Sequence, residues 1–242
     1  MADRLASRSM LNYPHRVAER LNAHLVDVTV AGATTATILR DRQRVLWHRF
    51  PVQIDAVTPT TDLITVTAGG NDLGYLGQVI GSALSNRLAA YAPARPIRRW
   101  LTRPRDLPDA DQLAAAATGL TQIVEEGRRR ASAARILLVD YLPIFGGETR
   151  PGDDIPFTRT EIDHFRSLAD LLSSAYDRAG RDSGAEVIRA ADYDAGHALG
   201  VKEPWIFGLA GATTMGSSFH PNAASVAHVA DTIINRLAIL DA

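Results

Sequence analysis

The stretch RILLVDY, at residues 135–141, decides the fold class because four consecutive apolar side chains precede Asp140. A strand with this pattern is buried on both faces, as in a parallel sheet covered by helices. Three further segments predict strands, namely Leu25–Val30, Asp62–Thr67 (DLITVT) and Ala185–Arg189. They alternate with longer helical patterns, so the sequence predicts a parallel sheet in an α/β protein.

Helical periodicity is clearest in four segments. The first predicted helix, Tyr13–Leu21, places Val17 and Leu21 on its inner face. The other three have apolar stripes at spacings of three and four: Leu113, Ala117, Leu120 and Val124; Ile162, Phe165, Leu168 and Leu172; Val226, Val229, Ile233, Leu237 and Leu240. A chain of 242 residues with this alternation is expected to form a single α/β domain, 1–242.

Composition excludes several functional classes. The 26 Lys and Arg residues against 27 Asp and Glu leave a net charge of −1, so the whole chain has no general attraction to nucleic acid or anionic membranes. The absence of cysteine excludes disulfides, thiolate metal sites and a cysteine nucleophile. The spacing of the histidines indicates no metal site. No phosphate-binding glycine motif follows a predicted strand, which disfavours a nucleotide-binding protein. No integral membrane segment or signal peptide is visible, which predicts a cytoplasmic protein as the sequence is written.

Three short motifs supply candidate site residues. The motif Gly69–Asp72 follows the strand DLITVT, and carboxyl ends of parallel strands are where α/β proteins bind ligands. Asn71 offers two N–H donors suited to an oxyanion, although the same tetrapeptide is also common in turns. His220, followed by Pro221 at the start of the last helix, is either a general base or a surface histidine. Gly32 presents a backbone N–H or simply marks a turn.

Together, and in this order, these motifs resemble the SGNH/GDSL hydrolase family, particularly its actinobacterial-type esterases and lipases. The stretches that carry the resemblance are Arg8–Pro14 (RSMLNYP), Val26–Thr29 with Gly32–Thr35, Gly69–Asp72 and His220–Asn222. The resemblance covers almost the whole chain and implies a three-layer α/β/α, flavodoxin-like fold. It implies hydrolysis of a small acyl ester without cofactor or metal. His220 would be the general base, and the Asn71 side chain and Gly32 backbone would form the oxyanion hole.

The sequence departs from the family at the nucleophile. The Gly-Asp-Ser-Leu block that carries the family's catalytic serine after its first strand has no counterpart here. The nearest string, GRDS at 180–183, contains an inserted arginine and precedes a strand, while Ser7 and Ser9 follow no strand. We therefore leave the nucleophile unassigned and expect the first strand to be missing, with a true start upstream that would also allow secretion. The alternative is a degenerate, non-catalytic member of the family that binds a small ligand.

Three smaller departures bear on the site and the compartment. Many members of the family carry an acid three residues before the histidine, where this chain has Ser217, so we expect the Ser217 carbonyl to orient the imidazole. Secreted relatives often have cysteines near Ala6 and Val30, and their joint loss fits a reducing compartment. The segment 92–111, rich in proline and arginine, is a surface insertion, a substrate-gating lid or a patch that binds an anionic ligand.

Overall fold

The computed structural model describes residues 2–89, 106–152, 154–190, 196–211 and 215–240. Of the insertion predicted at 92–111, positions 92–105 lie outside the described residues. The elements, in chain order, are α1 (Ala2–Ala6), α2 (Tyr13–Leu21), α3 (Thr35–Leu39), β1 (Arg44–Val45), β2 (His48–Arg49), β3 (Leu63–Val66), α4 (Tyr75–Ala89), α5 (Ala110–Arg130), β4 (Arg135–Val139), α6 (Arg159–Ser183), β5 (Glu186–Ile188) and α7 (Ala223–Leu240). Short 3₁₀ turns lie at Gln53–Ala56 and Met215–Ser217.

The main sheet is parallel, with β4 between β3 and β5. Ile136 of β4 pairs with Ile64, and Leu138 pairs with Val187. All four apolar residues of β4 are buried, at 6% exposure or less, so this strand is covered on both faces. The strand interpretation of RILLVDY is thereby confirmed, and its burial explains the continuous apolar run.

Helices lie on both faces of the sheet, which makes the fold a three-layer α/β/α sandwich. On one face α5 packs against α6, and on the other α2 packs against α7. Gly127 allows α5 to approach the sheet closely, because a Cβ at this position would lie 2.9 Å from Cδ1 of Ile136. Most of the predicted stripe residues of α5, α6 and α7 are in the core. The part of the chain that the structure describes contains no helix long and apolar enough to cross a membrane.

The strand predicted at Leu25–Val30 is wrong, because this segment joins no described sheet. Its polar groups are satisfied locally instead. The Asp27 carboxylate accepts hydrogen bonds from the backbone N–H of Thr29 (2.9 Å), from its hydroxyl (2.7 Å) and from the Asn12 side-chain amide (2.9 Å). Val26 is 57% exposed, so the segment also lacks the burial that its apolar residues suggested.

Candidate active site

The first part of the candidate site is the loop that follows β3. Gly69 has a φ of +96°, a left-handed conformation that favours glycine, and it turns the chain away from the strand. Gly70 is required for a different reason, since a Cβ there would lie 2.8 Å from Cζ of Tyr141. The loop then continues as a turn into α4, with the Tyr75 N–H donating to the Gly70 carbonyl at 2.8 Å.

Two tyrosines, the fully buried Tyr176 and the partly buried Tyr141, support this loop through hydrogen bonds. The Tyr176 hydroxyl accepts the N–H of Ala68 (2.9 Å) and donates to its carbonyl (2.6 Å), while the Tyr141 hydroxyl accepts the N–H of Gly70 (3.3 Å). Burial raises the pKa of Tyr141 to about 12, and the charge of Asp72 adds to the rise. Burial likewise raises the pKa of Tyr176. Both phenols therefore stay neutral at ordinary pH and act as fixed hydrogen-bonding groups.

The loop that contains Gly32 contacts the β3 loop directly. Asn71 donates one side-chain N–H to the carbonyl of Ala33, at 2.9 Å. The amide nitrogen of asparagine carries two hydrogens, so its second N–H remains to face a ligand. Gly32 itself is exposed, with a φ of +79°, and within the described residues no acceptor is recorded for its backbone N–H. The structure thus brings Asn71 and the Gly32 loop together.

Asp72 fixes the relative position of these two loops. Its carboxylate accepts the hydroxyl of Thr35 (2.6 Å) and the backbone N–H of Thr35 (3.1 and 3.2 Å to the two oxygens). Thr35 is buried and is the first residue of α3. We call this interaction the Asp72–Thr35 clamp. From the sequence, Asp72 and Thr35 are members of two separate motifs, and nothing in a sequence shows that two positions so far apart are bonded.

The His220 loop is held by backbone pairing. The N–H of Phe207 donates to the His220 carbonyl (2.9 Å), and the N–H of Phe219 donates back to the Phe207 carbonyl (3.1 Å). Phe219 has a φ of +58°, an uncommon conformation for a phenylalanine, and its buried ring packs on Phe157 with centroids 5.6 Å apart. This packing keeps the strained residue in place and so fixes the direction of the next side chain, that of His220.

The imidazole of His220 is oriented by a carbonyl. Its Nδ1 lies 2.9 Å from the carbonyl oxygen of Ser218. A carbonyl only accepts hydrogen bonds, so in the neutral ring Nδ1 carries the proton and Nε2 has the lone pair, as a general base requires. We expected the Ser217 carbonyl in this role, but in the structure that carbonyl accepts the backbone N–H of His220 (3.2 Å). The carbonyl that orients the ring is therefore one residue later in the chain than we expected, because the tight turn at Phe219 directs the Ser217 carbonyl to the backbone of His220.

His220 lies at the same edge of the sheet as the β3 loop. Arg135, the first residue of β4, donates from Nη1 to the carbonyl of Leu237 near the end of α7 (3.3 Å). The C-terminal end of α7 is therefore at the amino ends of the strands. With 18 residues α7 is about 27 Å long, so its start and the preceding His220 lie at the carboxyl ends. No hydrogen bond between described residues joins His220 to Asn71 or Gly32.

None of the serines considered from the sequence occupies a nucleophile turn. Ser183 is the last residue of α6, and its hydroxyl donates to the Ala179 carbonyl (2.6 Å). Ser7 and Ser9 lie in the turn region between α1 and α2. Among the described residues, no group of three or more histidine, aspartate or glutamate side chains is arranged to hold a metal ion.

Comparison with known proteins gives a consistent result. The model of the GDSL-like lipase/acylhydrolase family matches residues 2–227. Lipase 2 of Streptomyces coelicolor is 29% identical over 216 residues, which cover 86% of this chain and 70% of that protein.

Two solved structures share the fold. An extracellular lipase from Streptomyces rimosus has a TM-score of 0.69 at 21% identity, with 96% of this chain and 88% of that chain covered. A phospholipase A1 from Streptomyces albidoflavus has a TM-score of 0.68 at 20% identity, with the same coverage. From the match of the family model over nearly its whole length, the chain belongs to the GDSL-like lipase/acylhydrolase family, a family of ester hydrolases.

Proposed function

We propose that this protein acts on small carboxylic esters, with His220 as general base and with the Asn71 side chain and the Gly32 backbone N–H as oxyanion donors. The observation that carries the proposal is the hydrogen bond from the Asn71 amide to the Ala33 carbonyl (2.9 Å), because it joins the Asn71 side chain to the loop that contains Gly32, close to the end of β3.

The two donors fit the charge that develops during acyl transfer. When a nucleophile adds to an ester carbonyl, the carbonyl oxygen becomes an oxyanion, and fixed N–H donors stabilise it. One N–H of Asn71 is already used to bind Ala33, so the amide cannot rotate freely and its second N–H points in a fixed direction. Removal of one such donor lowers turnover by roughly 100- to 1,000-fold in well-studied hydrolases.

The hydrogen bond from the His220 ring to the Ser218 carbonyl supports the tautomer that the reaction needs. In the proposed sequence a serine hydroxyl attacks the ester carbon while Nε2 of His220 takes its proton. The protonated imidazole then gives that proton to the departing alcohol, which leaves an acyl-serine. Nε2 next takes a proton from water as the water oxygen adds to the acyl carbon. The imidazolium then returns that proton to the serine oxygen as its bond to the acyl carbon breaks, which releases the acid and the free serine. The Ser218 carbonyl holds the ring throughout, as a carboxylate does in a full triad.

A second candidate function follows from the missing nucleophile motif. The 242 residues contain no Gly-Asp-Ser-Leu block, and no described serine stands on a turn after a strand. Without a serine, Asn71, Gly32 and His220 would bind an ester or a carboxylate without turning it over. We therefore expect the 242-residue chain to be inactive or nearly so, and a form that presents a nucleophilic serine to be an esterase.

A fluorophosphonate probe and a short-chain aryl ester test the two candidates together. We expect no covalent labelling of the 242-residue chain, and labelling of it would disprove the second candidate. In a form that presents a serine, His220→Ala should lower turnover of the aryl ester by roughly 100- to 10,000-fold while the fold is kept. His24→Ala, at an exposed histidine outside the site, is the matched control. Unchanged turnover in His220→Ala would remove His220 from the mechanism.

A further inference from the structure

A small hairpin on the molecule has a composition that the ester-hydrolase site does not explain. Residues 42–49, RQRVLWHR, hold three arginines, a histidine and no carboxylate. Strands β1 and β2 pair in antiparallel fashion, and the two residues between them form the tip. These two residues are Leu46, which is 63% exposed, and Trp47, which is 74% exposed. We call residues 42–49 the Trp47 hairpin.

The tip holds a large side chain where the backbone favours glycine. Leu46 has a φ of +54°, and a two-residue hairpin turn with a positive φ at its first position usually has glycine there. A leucine in this conformation is unfavourable by comparison with glycine, and its side chain gains no burial in return. The chain therefore keeps an exposed apolar side chain at a position where it weakens the fold.

The strands of the Trp47 hairpin also place like charges together. Arg44 is directly opposite Arg49, and both side chains are exposed. Like charges across a strand pair repel each other. No ion pair is recorded between a described carboxylate and Arg42, Arg44 or Arg49, so the repulsion is not relieved within the described part of the chain.

The base of the Trp47 hairpin is firmly attached. The Phe50 N–H donates to the Gln43 carbonyl (2.8 Å), and the buried Gln43 side chain donates to the Ala31 carbonyl (2.8 Å). Phe50 packs with Ala6 and Val30 in a small apolar cluster of its own. The exposed tip is thus presented on a rigid support, which an unstructured loop would not provide.

We propose that the Trp47 hairpin binds the surface of an anionic lipid bilayer. Tryptophan favours the boundary between headgroups and acyl chains, where its ring is partly apolar and its N–H is solvated. Basic side chains near an anionic leaflet each strengthen binding by about fivefold. A protruding apolar tip, flanked by arginines that form no recorded ion pair with a described carboxylate, matches both features of such a surface. The net charge of −1 for the whole chain conceals this local patch.

The position of the Trp47 hairpin gives this binding a consequence for the site. Gln43 bonds to Ala31, the residue directly before Gly32. The base of the Trp47 hairpin is therefore attached to the loop that supplies a proposed oxyanion donor, so the bound tip and this loop are connected through the hairpin itself. The lipid-binding proposal does not depend on catalysis, because it concerns the tip alone and is measured without turnover.

Co-sedimentation with vesicles tests the proposal. We expect the 242-residue chain to bind phosphatidylcholine vesicles that contain phosphatidylglycerol, and to bind far less to phosphatidylcholine alone or at high salt. Trp47→Ala should weaken the vesicle affinity by about tenfold. Ile239→Ala is the matched control, because Ile239 is 66% exposed on α7, and it should bind as the wild type does.

Two further variants separate lipid binding from folding. Arg49→Gln should weaken the vesicle affinity by about fivefold, whereas Arg181→Gln, which removes an exposed arginine from α6, should not. Leu46→Gly should weaken binding while it leaves Tm unchanged or raises it by about 2 °C, because glycine accepts the positive φ.

Three results would overturn the proposal. The first is no binding to phosphatidylglycerol vesicles at low salt. The second is binding that Trp47→Ala and Ile239→Ala weaken equally, since the tip would then have no special role. The third is retention on immobilised polyglutamate without any binding to vesicles, which would assign the patch to an acidic protein partner.

Discussion

Gly119, in the middle of α5, lies against Thr35, so a larger residue at this position is expected to disrupt the Asp72–Thr35 clamp. A Cβ at Gly119 would lie 2.4 Å from Oγ1 of Thr35 and 2.6 Å from its Cβ. Ordinary contact begins at 3.4 Å, so in Gly119→Ala either Thr35 or the helix must move by about 1 Å. The same movement would stretch the 2.6 Å hydrogen bond from the Thr35 hydroxyl to Asp72 beyond a useful length.

The expected free-energy change combines three effects. Overpacking of a buried position costs about 1–3 kcal/mol. Loss of the Thr35–Asp72 bonds adds about 1 kcal/mol, a low value because the Asp72 side chain is exposed to solvent. The better helix propensity of alanine offsets about 1 kcal/mol of this. Gly119→Ala should therefore lower the free energy of unfolding by roughly 1–3 kcal/mol.

Urea unfolding followed by circular dichroism measures this effect. Gly81→Ala is the matched control, since Gly81 is an exposed residue within α4 and a Cβ there has no neighbour within 4 Å. That variant should gain up to about 1 kcal/mol from propensity alone. In a Thr35→Gly background the penalty of Gly119→Ala should largely disappear, because the obstructing atoms are gone. A Gly119→Ala protein as stable as Gly81→Ala, or an undiminished penalty without the Thr35 side chain, would refute this reasoning.

Two further predictions concern the tyrosine support and the polar cluster around Asp27. Tyr141→Phe removes the acceptor of the Gly70 N–H, so hydrogen exchange of that amide, measured by NMR, should accelerate. The phenol with a pKa of about 12 should also be absent from a spectrophotometric titration of the variant. An unchanged exchange rate would contradict this prediction. For Asp27, burial favours a higher pKa, but hydrogen bonds from Thr29 and the charge of Arg8 contribute to a net lowering. Because the folded-state pKa lies below the unfolded value of about 4, the carboxylate stabilises the fold above that pH and the benefit is lost as pH falls through the folded pKa. Asp27→Asn should thus lower Tm at neutral pH and much less in strong acid, and an equal loss of Tm at both would show that the charge is unimportant.

The sequence predicted the sheet well wherever burial alone decides structure. The predicted strands β3, β4 and β5 and the predicted helices α2, α5, α6 and α7 are confirmed, and the apolar residues that predicted them are mostly buried. The segment Leu25–Val30 has a similar pattern but joins no described sheet. A segment forms a strand only when a neighbouring strand is available for hydrogen bonding, and the sequence of the segment alone does not show whether one is.

The candidate site was predictable as a set of residues but not as a bonded structure. Asn71, Gly32 and His220 stand out because their residue types fit acyl-transfer chemistry, and their roles stay predictions. The partners that hold them were not predicted, since the clamp residue Thr35 and the support from Tyr141 are distant in sequence and ordinary in type. The Trp47 hairpin was missed because strands of two residues are too short to show alternation.

The described contacts divide the candidate site into two separately supported parts. Asn71 bonds to the Gly32 loop, and that loop bonds through Ala31 to Gln43 at the base of the Trp47 hairpin. His220 is held instead by its own turn and by Phe207. Binding at the hairpin would therefore act first on the Gly32 loop and Asn71, whereas among the described residues no hydrogen bond joins that loop to His220. If surface binding changes ester hydrolysis, the change should arise in stabilisation of the oxyanion and not in the basicity of the imidazole.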